Sequence, residues 1–286
     1  MPSSPRIQLS TPLRRPRNFR RVRSVTWVGR ASAHIWRMAA ARIRVIDLET
    51  AGSTSQDVCE IGWQDVVVGE DGRWIVNSER GSLFVNPGRP ISTATMAIHH
   101  IIDADVAAAP FWKDAAPRVL RPGGGVLALA AHRAAFEQRY CTPQLSSGAP
   151  WICTWKCALR LWPDLSGFSN QMLRYERAPE GLDREIGLPA HRAMPDAYVT
   201  AHHLRDMLNE SSLEQLLAWS SAPGLLPRVP TGPDRGRPWS ELVTVTLQGL
   251  ARDRDASIRF SAKTELQRRG LANEPAAELP VQRTLI

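Results

Sequence analysis

No apolar run in this chain approaches the roughly 20 residues that a membrane-spanning helix needs. The longest, residues 126–131, is far too short, and association with a membrane is not expected. Cysteines are few: Cys59, Cys141, Cys153 and Cys157 are the only four in 286 residues. None stands in a CxxC pair, which excludes a zinc ribbon, and the spacings suit no disulfide scaffold. Reduced thiols in a cytoplasmic protein are the expectation. Lysine is scarcer still, with Lys113, Lys156 and Lys263 set against 33 arginines, a bias that reads as coding preference. No short period recurs, so collagen-like, coiled-coil and repeat architectures are excluded. The N-terminus carries no apolar segment followed by a small-residue cleavage site, so a secretory signal is not expected.

What is present is a globular composition, 43% hydrophobic and 22% charged, enough for a sizeable core. The formal net charge of +8 is unevenly placed. Residues 1–40 hold nine arginines and no acid, which leaves 27 basic against 28 acidic residues in the rest of the chain. The positive charge belongs to the leader, so it gives no argument that the folded body binds nucleic acid, and a large basic channel is not expected there.

Residues 42–47 (RIRVID) form a β-like apolar run that ends in an acid. Residues 59–68 (CEIGWQDVVV) read as a second strand, residues 69–72 as a turn, and residues 73–85 as a third strand broken near residues 78–81. Three strands with short links predict an antiparallel meander. Short helices are predicted near residues 93–99 and 111–120, and a buried fourth strand over residues 126–130. Residues 134–140, 154–161, 170–177 and 193–208 carry helical patterns. Trp151, Trp155 and Trp162 stand at near-helical spacing and read as core rather than as a base-stacking platform. Strands followed by helices, with one strand between, predict an α/β or α+β domain over residues 41–210. Residues 211–222 read as a linker or short helix, residues 223–270 as a small C-terminal module and residues 271–286 as a polar tail. Residues 1–40 read as a disordered arm or a spurious extension, with Met38 the expected true start.

Three segments carry chemistry. Asp47-Leu48-Glu49 ends the first strand, and alternation puts both carboxylates on one side. Two acids one strand-step apart suit a hard divalent cation. Glu137 lies in AHRAAFE, just after the buried fourth strand. In HRAMPDA, His191 precedes Asp196 by five residues, so a loop histidine and an acid in the opening turn of a helix can reach one site. A histidine beside a metal cluster is a natural general base near neutral pH. Each segment alone has an ordinary structural explanation, such as a solvated strand end, a surface helix acid or an exposed histidine.

Together, VIDLETAG, AHRAAFE and HRAMPDA, in this order, resemble the DEDDh (DnaQ-like) 3′→5′ exonuclease superfamily over residues 43–207. The segments WICTWKCALRLWPDLSGFSN, PRVPTGPDRGRPWSEL and IRFSAKTELQRR look like the exodeoxyribonuclease X group within it. The resemblance implies an RNase H-like α/β fold, a mixed five-stranded sheet flanked by helices. It implies two Mg²⁺ or Mn²⁺ ions about 4 Å apart, held by Asp47, Glu49, Glu137 and Asp196, with His191 taking a proton from the attacking water. It implies DNA as partner, single-stranded or at duplex 3′ ends, release of 5′-mononucleotides, and a role in repair. Thr50, His99 (or its neighbour His100), Arg133 and Phe136 are the implied substrate contacts.

Two positions depart from the family pattern. Glu137 stands where an Asp is usual, lengthening the arm by about 1.5 Å, and Arg133 stands where an Asn is usual. The Gly232–Gly236 turn carries an acid, Asp234, where relatives are more basic, so it reads as a packing element rather than a DNA contact. A degenerate nucleic-acid-binding domain, or an exonuclease on RNA or short oligonucleotides, is the alternative. With a near-neutral body, weak, salt-sensitive and distributive digestion is expected.

Overall fold

A computed structural model describes residues 41–52, 54 and 57–271. The Arg-rich leader, the proposed start at Met38 and the tail beyond Leu271 lie outside the described residues. No helix among the described residues is long and apolar enough to cross a membrane.

The centre of the fold is β1 (Arg42–Thr50). It pairs antiparallel with β2 (Val58–Val68), which pairs antiparallel with β3 (Trp74–Phe84). On its other side β1 runs parallel to β4 (Ala128–Ala131), and β4 parallel to β5 (Trp151–Cys153). The sheet order is therefore β3-β2-β1-β4-β5, the expected mixed five-stranded sheet.

Both faces of the sheet are covered, and residue parity along β1 decides what goes where. Ile43 and Val45 face a core built with α5 (Thr154–Leu161), α6 (Asn170–Arg177) and α7 (Ala193–Glu210), whose Ala197, Ala201, Leu204 and Met207 are fully buried. Ile46 and Leu48 face a second core with α3 (Trp112–Leu120), through Ala115, Ala116 and Val119. Along β4, Ala128 and Ala130 join the first core and Leu129 the second. Also on the α3 side, Arg44 forms a bidentate pair with Asp65 at 2.7 and 2.9 Å and donates to Val119 O at 2.7 Å. This buried ion pair ties β1, β2 and α3 together.

Several boundaries differ from the sequence expectation. β3 runs through the predicted break: residues 77–79 bulge out of register, and Gln64 Nε2 fills the gap by donating to Asn77 O (2.9 Å) and Glu79 O (3.2 Å). Trp151 lies in β5 rather than in a helix, because a three-residue strand is too short to show a period. Residues read as a linker or short helix form the helix, α8 (Leu213–Ser221), capped by Ser212 and anchored by the fully buried Leu216. The stretch predicted as a helix over residues 134–140 is a series of turns ending in a 3₁₀ turn, Glu137–Arg139. Arg133 sits at φ +64°, and i→i+3 bonds such as Phe136 N to Arg133 O and Tyr140 N to Glu137 O replace the α-helical ladder.

The short helices α1 (Thr93–His99) and α2 (Asp103–Val106) pack beside the end of β1, and α4 (Pro143–Ser146) precedes β5. The C-terminal segment has its own small core, with Val229, Trp239, Leu247, Ile258 and Ala262, built around α9 (Thr244–Leu250) and α10 (Ala256–Arg268). All four cysteines are free and buried. Burial pushes the Cys59 and Cys157 thiols up to about 12, so neither is a nucleophile at neutral pH.

Removing Asp65 leaves Arg44 buried without its bidentate partner. Asp65→Ala is expected to lower unfolding free energy by about 3–5 kcal/mol in denaturant titration; a loss under about 1 kcal/mol would show the pair to be dispensable.

Candidate active site

The acids of β1 emerge where the strand leaves the sheet. Asp47 and Glu49 lie on the Val45 face, which is the face that α7 covers. Helix α7 opens at Ala193, and Asp196 lies in its first turn. Asp47, Glu49 and Asp196 bring carboxylate oxygens within 4.8 Å of one another. Three hard oxygen donors so close form a set that suits a divalent cation and little else.

Electrostatics give the same reading. Burial, and then the neighbouring charges of Asp196, Glu49 and Glu137, hold the Asp47 carboxyl well above the usual range. Burial and Asp196 push Glu49 up to about 8. Glu137 is also pushed to about 8, chiefly by burial, with Glu49 adding to it. Glu137 is buried beside the triad but outside its tightest cluster, and its Oε2 has no hydrogen-bond partner. A buried carboxylate oxygen with no donor, beside three other acids, is open to a bound cation. The residues therefore fit a bound metal.

Asp196 is held from three sides. Gln171 Nε2 donates to its Oδ1 at 2.8 Å, Asn170 Nδ2 approaches the same oxygen at 3.3 Å, and the His191 backbone N–H donates to Oδ2 at 2.6 Å. His191 itself is exposed, in a left-handed conformation at φ +61°. Arg133 shares that conformation, so two motif residues stand in a backbone region that costs about 1–2 kcal/mol without glycine.

The remaining predicted contacts divide. Thr50 is buried at the end of β1, its hydroxyl donating to Gly52 O. His99 is also buried: Nδ1 accepts from Ile101 N–H at 3.0 Å and Nε2 lies 3.2 Å from Thr50 O. Both ring nitrogens are thus engaged by backbone, and His99 braces Thr50 while His100 is exposed at the end of α1. Phe136 is half-buried against Tyr140, with the Arg139 guanidinium 4.5 Å from its ring. Arg133 is exposed and lies 4.3 Å over the Trp155 ring.

Three residues that hold the site in place carried no recognised sequence signal. Glu60 is the cross-strand partner of Glu49. Its carboxylate takes a bidentate pair from Arg192 at 2.9 and 2.9 Å and accepts from Ala193 N–H at 3.1 Å. It therefore fastens the start of α7 to β2. Gly62 makes that contact possible: a Cβ there would lie 2.2 Å from the backbone of Ala193 and Met194. Asn170, quoted within a longer motif, was legible only as a helix start.

Two outcomes are expected. Gly62→Ala pushes the α7 N-terminus, and with it Asp196 and His191, off the sheet; shifts of about 1 Å cost on the order of 100-fold in rate, measurable as turnover with unchanged oligomer state. With chelator present, stability depends on pH in two opposite ways. Glu49 and Glu137 have raised folded pKa values, so the folded state binds the extra protons and the melting temperature rises as pH falls from above 8. Below about 6.5 the rise is opposed, because burial lowers His132 and His202 to about 4 and His203 to about 3, and the unfolded chain takes up those protons while the acids still favour the folded state. A melting temperature flat across both ranges would contradict these environments.

No family model matches the chain. It is 37% identical to exodeoxyribonuclease 10 of Escherichia coli strain K12 over 202 residues, which span 70% of this chain and 84% of that protein. The same figures hold for exodeoxyribonuclease 10 of Escherichia coli O6:H1 strain CFT073. Among solved structures it is similar to exonuclease X in complex with 5′ overhanging duplex DNA, at 36% identity and a TM-score of 0.52, over 62% of this chain and 99% of that one. Sequence motifs, sheet order, the carboxylate cluster and these relatives agree: the chain belongs to the DEDDh 3′→5′ exonuclease family, in the group of exodeoxyribonuclease X.

Proposed function

We propose that this exonuclease removes nucleoside 5′-monophosphates one at a time from the 3′ ends of DNA, using two divalent cations. The observation that carries the reading is the convergence of Asp47, Glu49 and Asp196 within 4.8 Å, in a chain of this family. Asp47, Glu49 and Asp196 would hold the metal, and the partnerless Glu137 Oε2 supplies a fourth carboxylate, which makes a second Mg²⁺ or Mn²⁺ reasonable. When bound, the metal supplies Lewis-acid stabilisation of charge on the phosphate oxygens.

The protein's own groups do the rest. His191 takes the proton from water, whose oxygen attacks phosphorus; the P–O3′ bond breaks, the departing O3′ takes a proton from solvent water, and the shortened strand leaves with a 3′-hydroxyl. Asp196 does two jobs, since the carboxylate that faces the metal also fixes the His191 backbone. Thr50, at the end of β1, stands beside the terminal nucleotide, and His99 keeps it there. Glu137 differs from an aspartate by one methylene and is presented by a 3₁₀ turn.

The test is digestion of 5′-labelled DNA with Mg²⁺, with Mn²⁺ and with chelator. A metal-dependent ladder receding from the 3′ end is expected, and Asp47→Ala abolishes it. Glu137→Gln retains part of the rate and shifts the balance between Mg²⁺ and Mn²⁺. His191→Ala loses about 10²–10⁴-fold in rate. Cleavage that persists in Asp47→Ala, or an unchanged rate in His191→Ala, would defeat these assignments.

A further inference from the structure

We propose that the cleft between α5 and the C-terminal module binds the phosphodiester backbone of the DNA strand retained after each cleavage. The inference rests on the exonuclease reading above and assigns the module a role in holding substrate.

The cleft has a cavity of about 650 Å³. Arg133, Trp155 and Phe168 line it from the nuclease domain, and Arg228, Arg235 and Gly236 from the module. It adjoins the acids: Arg133 lies four residues before Glu137, and the lining Ser169 precedes Asn170, which contacts Asp196. The sheet order places it across the site from Thr50. Thr50, His99 and α1 sit on the β2 side of β1, whereas Arg133, Trp155 and the module sit on the β4–β5 side. A strand with its 3′-terminal nucleotide against Thr50 would continue toward the cleft.

The chemistry of the cleft is that of a phosphate binder. Arg133, Arg228 and Arg235 are exposed, and none has a carboxylate partner among the described residues. The Arg133 guanidinium lies 4.3 Å over the Trp155 ring, a cation–π contact that holds it at the cleft. The acid that made the Gly232–Gly236 turn look unsuited to DNA is neutralised within the turn: Asp234 is bound to Arg237 at 2.6 Å. Asp255, the one acid lining the cavity, caps α10 by accepting from Ser257 and Ile258 N–H. Three guanidinium groups in a confined cleft match successive backbone phosphates.

The module is also held in register with the site. Gly224 lies against Trp155, where a Cβ would stand 2.9 Å from the indole Cζ3, and Gly224 N–H donates to Ser257 Oγ at 3.1 Å. Arg160 donates to Pro223 O at 2.9 Å. Trp155 is thus a joint touching both the module and Arg133. Because Arg133 covers it, it orients that arginine and does not stack a base.

The experiment measures equilibrium binding of a labelled single strand of about 20 nucleotides to the full chain in an Asp47→Ala background, which prevents digestion. The test protein adds Arg228→Ala and Arg235→Ala. A control adds Arg73→Ala and Arg80→Ala, which remove the same charge at the far edge of the sheet. The test pair is expected to bind about tenfold more weakly, and its slope of log K against log salt falls by about 1.4, or 0.7 per lost phosphate contact. The control keeps the slope, and the difference vanishes on a dinucleotide. If the unsubstituted chain digests the strand but the test pair keeps the control's affinity and slope, the cleft assignment is overturned alone. If the unsubstituted chain leaves the strand intact with either metal, the exonuclease reading fails and this one with it.

Discussion

The contact on which the site depends is the seat of α7 on β2. Glu60 joins Arg192 and the Ala193 N–H, and Gly62 leaves room for the helix backbone to lie directly on the strand. Without this seat, Asp47 and Glu49 would be two acids at a strand end and Asp196 an ordinary residue in a helix's first turn. With it, residues separated by about 150 positions share one small volume, and the His191 loop is fixed by the same carboxylate that completes the triad. Glu60 is itself an acid next to an acidic cluster, and only its bidentate arginine makes that placement tolerable.

The cluster is assembled against its own electrostatics. Asp47, Glu49 and Glu137 all have carboxyls raised by burial and mutual repulsion. A fold that concentrates negative charge in this way stores an unfavourable term that a divalent cation relieves, so metal affinity and the stability of the bound state are linked. The rest of the fold offsets that term with apolar packing on both sheet faces and with the buried Arg44–Asp65 pair. The left-handed backbones of Arg133 and His191 are a second local cost at the site, sustained because neighbouring contacts determine them.

The near-neutral charge of the folded body, read globally, argued against any extended basic groove. Structure changes the question from how many arginines there are to which of them lack acidic partners. Some pair with nearby acids, as Arg237 does with Asp234 and Arg268 with Glu265. Arg133, Arg228 and Arg235 converge on one cleft whose single lining acid, Asp255, is engaged in capping α10. A composition cannot distinguish these cases, because pairing is a tertiary property.

The sequence by itself determined the local features: the alternation that puts Asp47 and Glu49 on one side of β1, the meander of three strands, and the helical spans at residues 93–99, 154–161 and 170–177. These depend on neighbours a few positions away, which periodicity records. It misjudged the segment around Glu137, where a left-handed Arg133 turns a helix-like pattern into a 3₁₀ turn, and the three-residue β5, which is too short to show a period. Tertiary structure alone decided that Glu60 and Gly62 seat α7, that His99 braces Thr50 through backbone bonds, and that Arg133 lies over Trp155. Each is a contact between residues remote in the chain, formed only when the sheet and helices close on one another.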